Sequence, residues 1–240
     1  MSQRCPTLVS KSMTERVIPN PCTVVRDNSH PGQGTVLVLG TPRGGTSVVA
    51  GICHLLGVSM GADIDRSNVE DRAFRHALMS RDIAQAAGTY FTEAARRAPI
   101  VGVKNPIIID HLASFYSAIP HPILVVVSRD VYATAQREEV SGNDFFLSLR
   151  SVIGRKYAIL DFVETVPHPL LVVSYERLLA EPAATVTALS EFMLGRVDAT
   201  LVRRAASLVH PHADMPNDVD FIAERIAVDQ VGLRDQPAVT

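Results

Sequence analysis

The sequence predicts an α/β fold of three layers, in which helices flank both faces of a parallel sheet. Four short apolar runs rich in Val, Ile and Leu are typical of buried strands: residues 35–39, 100–103, 123–127 and 170–173. Helical periodicity separates these runs, and strands that alternate with helices form parallel sheets. A glycine-rich loop follows the first run and opens a helix, which is the arrangement of a phosphate-binding turn.

The remaining elements follow from the breaks between the periodic segments. The first helix is expected to end near Gly57. A polar loop is expected at residues 63–68. Further helices are predicted at residues 69–87, 107–118, 130–140 and 144–166, with helical pieces up to residue 209.

The chain is expected to divide into three regions. Residues 1–34 contain prolines and glycines without a sustained period, which predicts a flexible N-terminal arm. Residues 35–209 form the predicted folded domain. Residues 210–240 are rich in Pro and Asp and are expected to be an irregular tail.

The composition is that of an ordinary globular protein, with 47% hydrophobic and 20% charged residues among 240. A net charge of −2 and the lack of a long basic cluster predict no nucleic-acid partner. The three cysteines are scattered and indicate reduced thiols. No apolar run reaches the length of a membrane span and no secretory signal is recognisable, so we expect a cytoplasmic protein. The oligomeric state stays open.

The loop after the first strand is built for phosphate. The spacing from Gly40 to Gly45 and Ser47 fits the P-loop pattern G-x-x-x-x-G-K-[ST]. Thr46 stands where that pattern has lysine, and the basic residue lies inside the loop as Arg43. The loop therefore lacks the lysine that reaches the terminal phosphates of a nucleoside triphosphate.

Positive charges follow three of the predicted strands. Arg43 comes after the first strand, Lys104 after the second and Arg129 after the third. Ligands of parallel α/β sheets bind outside the carboxyl ends of the strands. We therefore expect an anionic ligand with more than one phosphate-like group.

Three segments resemble the sulfotransferases that use 3′-phosphoadenosine 5′-phosphosulfate (PAPS). Residues 41–47 (TPRGGTS) resemble the family's 5′-phosphosulfate loop, and residues 125–130 (VVVSRD) resemble its 3′-phosphate element. Residues 173–178 (VSYERL), followed by Glu181-Pro182 and residues 192–195 (FMLG), resemble its Tyr-Glu-Asp-Leu … Pro … Phe-Leu-Gly tail. The resemblance implies a P-loop-like sulfotransferase fold for residues 35–209 and transfer of a sulfuryl group.

The resemblance also implies a donor site without a metal. Arg43, the N–H groups of Gly44, Gly45, Thr46 and Ser47, and the last two hydroxyls would hold the 5′-phosphate. Arg129, together with Arg137, would hold the 3′-phosphate. The chain departs from the family pattern in having Val131 for proline, Arg137 for serine and Gly44 for serine. A guanidinium binds phosphate well, so Arg137 can keep the role of the serine.

Two residues are candidates for the chemical step. Glu70 follows the first helix, where carbohydrate-type members of the family often place the glutamate base, and Lys104 would stabilise the bridging oxygen. Glu70 could equally be an acid that stabilises a helix N-terminus, and Lys104 a strand-end lysine in solvent. His54 is the alternative base, although helical spacing places it on the surface.

Two other functions stay open. A P-loop kinase or NTPase would use ATP and Mg²⁺, with Asp110 as the acidic group. A non-catalytic nucleotide-binding module would explain the departures at Val131 and Arg137. For the sulfotransferase, the low aromatic content of 5% and the lack of tryptophan favour a polar small-molecule or glycan acceptor, such as a carbohydrate or glycolipid.

Overall fold

The computed structural model describes residues 21–139 and 142–209. The expected tail at 210–240 and the first 20 residues of the expected arm lie outside the described residues. Within the described part of the chain, no helix has the length and apolar character needed to cross a membrane. The strands are β1 (Cys22–Arg26), β2 (Gly34–Leu39), β3 (Ile64–Asp65), β4 (Glu70–Asp71), β5 (Ile100–Lys104), β6 (Pro122–Ser128) and β7 (Leu170–Ser174). The α-helices are α1 (Thr46–Leu55), α2 (Arg72–Leu78), α3 (Ile83–Arg97), α4 (Ile108–Phe115), α5 (Val131–Glu139), α6 (Phe145–Thr165), α7 (Tyr175–Ala180), α8 (Pro182–Leu194) and α9 (Ala199–Ala206).

Five strands form the central sheet in the order β1-β7-β6-β2-β5. β2 pairs in parallel with β5 and β6, and β6 pairs in parallel with β7. The carboxyl ends of these four strands therefore lie at one edge of the sheet, which confirms the predicted parallel sheet. β1 is an antiparallel edge strand beside β7.

Helices cover both faces of the sheet, as predicted. Alternate strand residues such as Val36 and Val125 pack with α1, α8 and α9 into one core. The intervening residues, such as Leu37 and Leu124, pack with α2, α3, α4 and α6 into the other. The two cores follow from the twofold alternation of side chains along a strand that is buried on both faces.

The expectation of a flexible arm as far as residue 34 is wrong for its last part. Cys22–Arg26 forms β1, and Cys22 is buried in the core. The Arg26 guanidinium donates to the carbonyls of His168 at 2.7 Å and Val163 at 2.9 Å. These bonds to residues far along the chain fix a segment whose own sequence shows no strand pattern.

The prediction of one helix over residues 69–87 is also wrong in part. β3 and β4 pair as a short antiparallel ribbon, so residues 63–68 are not entirely loop. Asp71 then caps α2, since its carboxylate accepts from the N–H groups of Ala73 and Phe74. Asp82 caps α3 by accepting from the Gln85 N–H. Two capping aspartates thus divide the periodic segment into two helices.

Candidate functional site

The glycine-rich loop joins β2 to α1 at the carboxyl edge of the sheet. Gly45, the N-cap of α1, has a φ of 88°, which is a left-handed conformation that favours glycine. A Cβ at Gly45 would lie 2.9 Å from Cγ of the Tyr175 ring and closer still to two other ring carbons. The Gly44 N–H donates to the Thr41 carbonyl at 3.0 Å. The Gly44 amide is thus engaged within the loop, contrary to the expectation that it faces the phosphate.

A cavity of about 210 Å³ opens in front of this loop. It brings together residues that the sequence analysis placed on four separate elements. The predicted site residues that line it are Arg43, Gly45, Thr46, Ser47, Glu70, Lys104 and Arg137. Their convergence is the main structural result for the site, because the residues come from the loop, α1, β4, β5 and α5.

Glu70 and Lys104 form a buried ion pair at the wall of the cavity. The Lys104 ammonium donates to Glu70 Oε1 at 2.9 Å and to the Asn68 carbonyl at 3.2 Å. The Asn105 amide donates to Glu70 Oε2 at 3.2 Å. Lys104 is only 3% exposed and is not a lysine in solvent. Burial lowers the pKa of Lys104, and the charge of Glu70 opposes that shift.

Glu70 owes its position to the two residues that precede it. Val69 is fully buried with a φ of 59°, a conformation that is strained for a β-branched residue and costs about 1–3 kcal/mol. The Asn68 carboxamide oxygen accepts from the Glu70 N–H at 2.9 Å. The helix that follows is capped by Asp71 and not by Glu70. Glu70 thus lines the cavity and does not cap α2.

Arg129 lies beside the loop, not among the residues that line the cavity. Its guanidinium donates to the Arg43 carbonyl at 3.1 Å and stands 4.8 Å from the centroid of the Tyr175 ring. The Lys156 ammonium donates to the Arg129 carbonyl at 2.5 Å. Burial lowers the pKa of Lys156, opposed by the charges of Glu176 and Asp130.

Sequence reasoning missed two of the residues that support the site. A sequence signal for Tyr175 existed, because it belongs to the segment that resembles the family's tail. Lys156 lies in the middle of α6, far along the chain from Arg129, and no local signal marks it. Arg137, by contrast, was predicted and lines the cavity from α5.

Asp110, the acidic group of the kinase alternative, is not among the residues that line the cavity. It belongs to the first turn of α4 and pairs with Arg155 at 3.1 Å. Among the described residues, no group of three or more His, Cys, Asp and Glu side chains is arranged to hold a metal ion. His54 lies half-buried on α1.

The fold has been seen in other proteins. The chain superposes on the sulfotransferase domain of the olefin synthase from Synechococcus PCC 7002 with a TM-score of 0.52 and 17% identity. The match covers 84% of this chain and 98% of that domain. The chain has the sulfotransferase fold. The prediction of fold class and of the family's fold is thus confirmed.

A second similar structure is a retinol dehydratase in complex with androsterone and the inactive cofactor PAP. Its identity to this chain is 11% and its TM-score 0.45, over 86% of this chain and 82% of that one. No protein-family model and no curated protein matches the sequence.

Proposed function

We propose that this chain is a sulfotransferase that moves a sulfuryl group from PAPS to a hydroxyl or amine of a polar acceptor. The observation that carries the proposal is the buried Glu70–Lys104 pair in the same cavity as the glycine-rich loop. A base and a cation beside a phosphate-binding turn are what sulfuryl transfer requires. The sulfotransferase fold supports the same function.

The loop would hold the 5′-phosphosulfate of the donor. Arg43, Thr46 and Ser47 line the cavity, so Arg43 would supply a guanidinium, and the N-terminus of α1 would supply its N–H groups and the Thr46 and Ser47 hydroxyls. A helix N-terminus favours an anion through its unpaired N–H groups and its dipole. Because this cradle and the cations neutralise the phosphate, the proposed reaction uses no metal.

Glu70 would act as the general base and Lys104 as the cation at the leaving phosphate. The acceptor oxygen forms a bond to sulfur while its proton passes to the Glu70 carboxylate. The bond between sulfur and the bridging oxygen breaks, and its electron pair remains on the 5′-phosphate. The product nucleotide is adenosine 3′,5′-bisphosphate (PAP), whose new charge the Lys104 ammonium stabilises.

Arg129 and Arg137 would hold the 3′-phosphate. Both belong to the turn and helix that follow β6, and Arg129 is fixed to the loop by its bond to the Arg43 carbonyl. Guanidinium groups bind phosphate oxygens with two parallel hydrogen bonds. This assignment gives Arg137 the function of the family's serine.

The acceptor is proposed to be a carbohydrate or a glycolipid head group. Outside the glycine-rich loop, Asn68, Lys104 and Arg137 join Glu70 as polar residues that line the cavity, and Val48 and Pro106 are apolar. Aromatic side chains, which would grip a flat phenol, are not among the residues lining the cavity in the described part of the chain. Faster sulfation of simple phenols than of sugars would contradict this part of the proposal.

Calorimetric titration with PAP, and separately with ATP and Mg²⁺, tests the donor. We expect PAP to bind and Arg129→Ala to weaken that binding. Arg203→Ala serves as the matched control, because Arg203 lies exposed on α9. Preference for ATP with Mg²⁺ would overturn the proposal in favour of a kinase-like function. Binding of PAP without turnover of PAPS, across a panel of sugar and phenol acceptors, would indicate a non-catalytic module.

A further inference from the structure

The carboxylate of Glu70 has a hydrogen-bond donor on each oxygen. Lys104 occupies Oε1 at 2.9 Å, and Asn105 occupies Oε2 at 3.2 Å. In the proposed reaction Lys104 must turn to the phosphosulfate, and Glu70 must offer an oxygen to the acceptor proton. The pairing seen in the structure therefore has to open on the Lys104 side, which leaves Glu70 with one protein donor.

Asn105 is held so that its donor must face Glu70. Its carboxamide oxygen accepts from the Ile107 N–H at 3.0 Å, so its nitrogen is directed to the carboxylate. Its backbone carbonyl accepts from the Ile108 N–H at 3.1 Å, at the start of α4. Asn105 is 5% exposed and is not among the residues that line the cavity. The amide is neutral and held by these bonds, so an incoming anion does not attract it. The same anion attracts the positively charged Lys104 ammonium.

We propose that Asn105 is a positioning residue that keeps Glu70 in its working orientation while Lys104 moves to the donor. Asn105 holds Oε2, so that Oε1 becomes the oxygen that receives the acceptor proton. The inference rests on the proposed function for the role of Glu70. It predicts that Asn105 acts on Glu70 whether or not a ligand is bound, and more strongly when PAP is bound.

The Glu70 carboxyl can be followed directly by carbon-13 NMR of protein with labelled glutamate. Its resonance is assigned by its loss in Glu70→Gln. The pH titration of this resonance is recorded in the wild type, Asn105→Asp and Asn105→Ala, each alone and with saturating PAP. Apart from the carboxylate that Asn105→Asp introduces, the charged groups near Glu70 are the same in all three proteins: Lys104 on β5, Asp65 across the β3–β4 pair, and Arg43 and Arg137 at the cavity.

Asn105→Asp preserves the size of the side chain and an oxygen for the Ile107 N–H, but sets a second carboxylate against Oε2. We expect the titration midpoint of the Glu70 resonance to rise by about one pH unit or more, because like charges and loss of a donor both disfavour the carboxylate. Asn105→Ala should also raise the titration midpoint of the Glu70 resonance. In the free protein this rise should be smaller than that in Asn105→Asp, and it should become larger when PAP is bound. The affinity for PAP should change by no more than about twofold, since Asn105 is not among the residues that line the cavity.

A control separates this effect from a general loss of stability. Asp82→Ala removes the exposed cap of α3, and it should lower Tm without moving the Glu70 resonance. Unchanged midpoints in both Asn105 variants would overturn the inference, even if PAP binds and the proposed function stands. If PAP fails to bind the wild type, the proposed function is wrong, and the titrations without ligand still decide whether Asn105 acts on Glu70.

Discussion

Gly45 is the position at which one methyl group should do most harm to the phosphate loop. Its φ of 88° is unfavourable for alanine, and a Cβ there would penetrate the Tyr175 ring. Tyr175 has little room to retreat, because it is 5% exposed and the Arg129 guanidinium stands over it. Gly45→Ala therefore combines backbone strain with a steric clash.

The two costs can be added for Gly45→Ala. The left-handed conformation costs alanine about 1–2 kcal/mol. Overpacking against a buried side chain costs about 1–3 kcal/mol more. The free energy of unfolding should thus fall by about 2–5 kcal/mol, a large part of the roughly 5–15 kcal/mol typical of folded proteins.

Urea denaturation of a double-mutant cycle separates strain from clash. In a Tyr175→Ala background the ring is gone, so Gly45→Ala should cost only the conformational part, about 1–2 kcal/mol. A coupling energy of about 1–3 kcal/mol between the two positions is the expected result. Equal costs of Gly45→Ala in both backgrounds would refute the packing of the loop against Tyr175.

Three further measurements test the site and the core. Arg129→Ala and Arg137→Ala should each weaken PAP binding by roughly 10- to 100-fold while leaving AMP binding nearly unchanged, since AMP lacks the 3′-phosphate; equal losses for both nucleotides in calorimetry would contradict the assignment. Lys104→Ala should lower the free energy of unfolding by about 3–5 kcal/mol, because Glu70 is left buried without its partner, and adding Glu70→Gln should restore part of that loss. Burial raises the pKa of the Cys53 thiol from 9.0 to about 12, so the folded state holds its proton more tightly than the unfolded state. Stability from this thiol is present below pH 9.0 and is lost as pH rises towards 12, and Cys53→Ala should show a shallower decline in alkaline denaturation.

The parallel sheet was predictable because each of its four parallel strands contains a run of four or five residues that is almost wholly apolar. Strands buried on both faces need no partner information to be recognised, and residues 123–127 show this most clearly. β1 could not be found in the same way. Thr23, Val24 and Val25 are exposed, and the strand depends on pairing with β7 and on the bonds of Arg26. Such contacts join residues more than 130 positions apart in the sequence.

Some residues of the candidate site were likewise predictable from the sheet, and others were not. Arg43, Lys104 and Arg129 were predictable because a parallel sheet brings its strand ends to one edge, whatever the loops do. Glu70 was predicted only through the resemblance, as its local sequence equally suits the start of a helix. What directs it to the cavity is the left-handed turn at Val69, a residue type that avoids that conformation.

The strain at Val69 is therefore best understood together with the contacts that maintain it. Asp71 accepts from the Ala62 N–H at 2.8 Å, and the Asp65 carbonyl accepts from the Val69 N–H at 2.7 Å. On the other side of Glu70, Lys104 and Asn105 hold its carboxylate from β5 and the start of α4. A strained backbone conformation persists only where several surrounding contacts hold it in place. Such conformations are concentrated at functional sites. The bonds on both sides of Glu70 meet that condition, which is an independent reason to regard this carboxylate as the group that the fold is arranged to present.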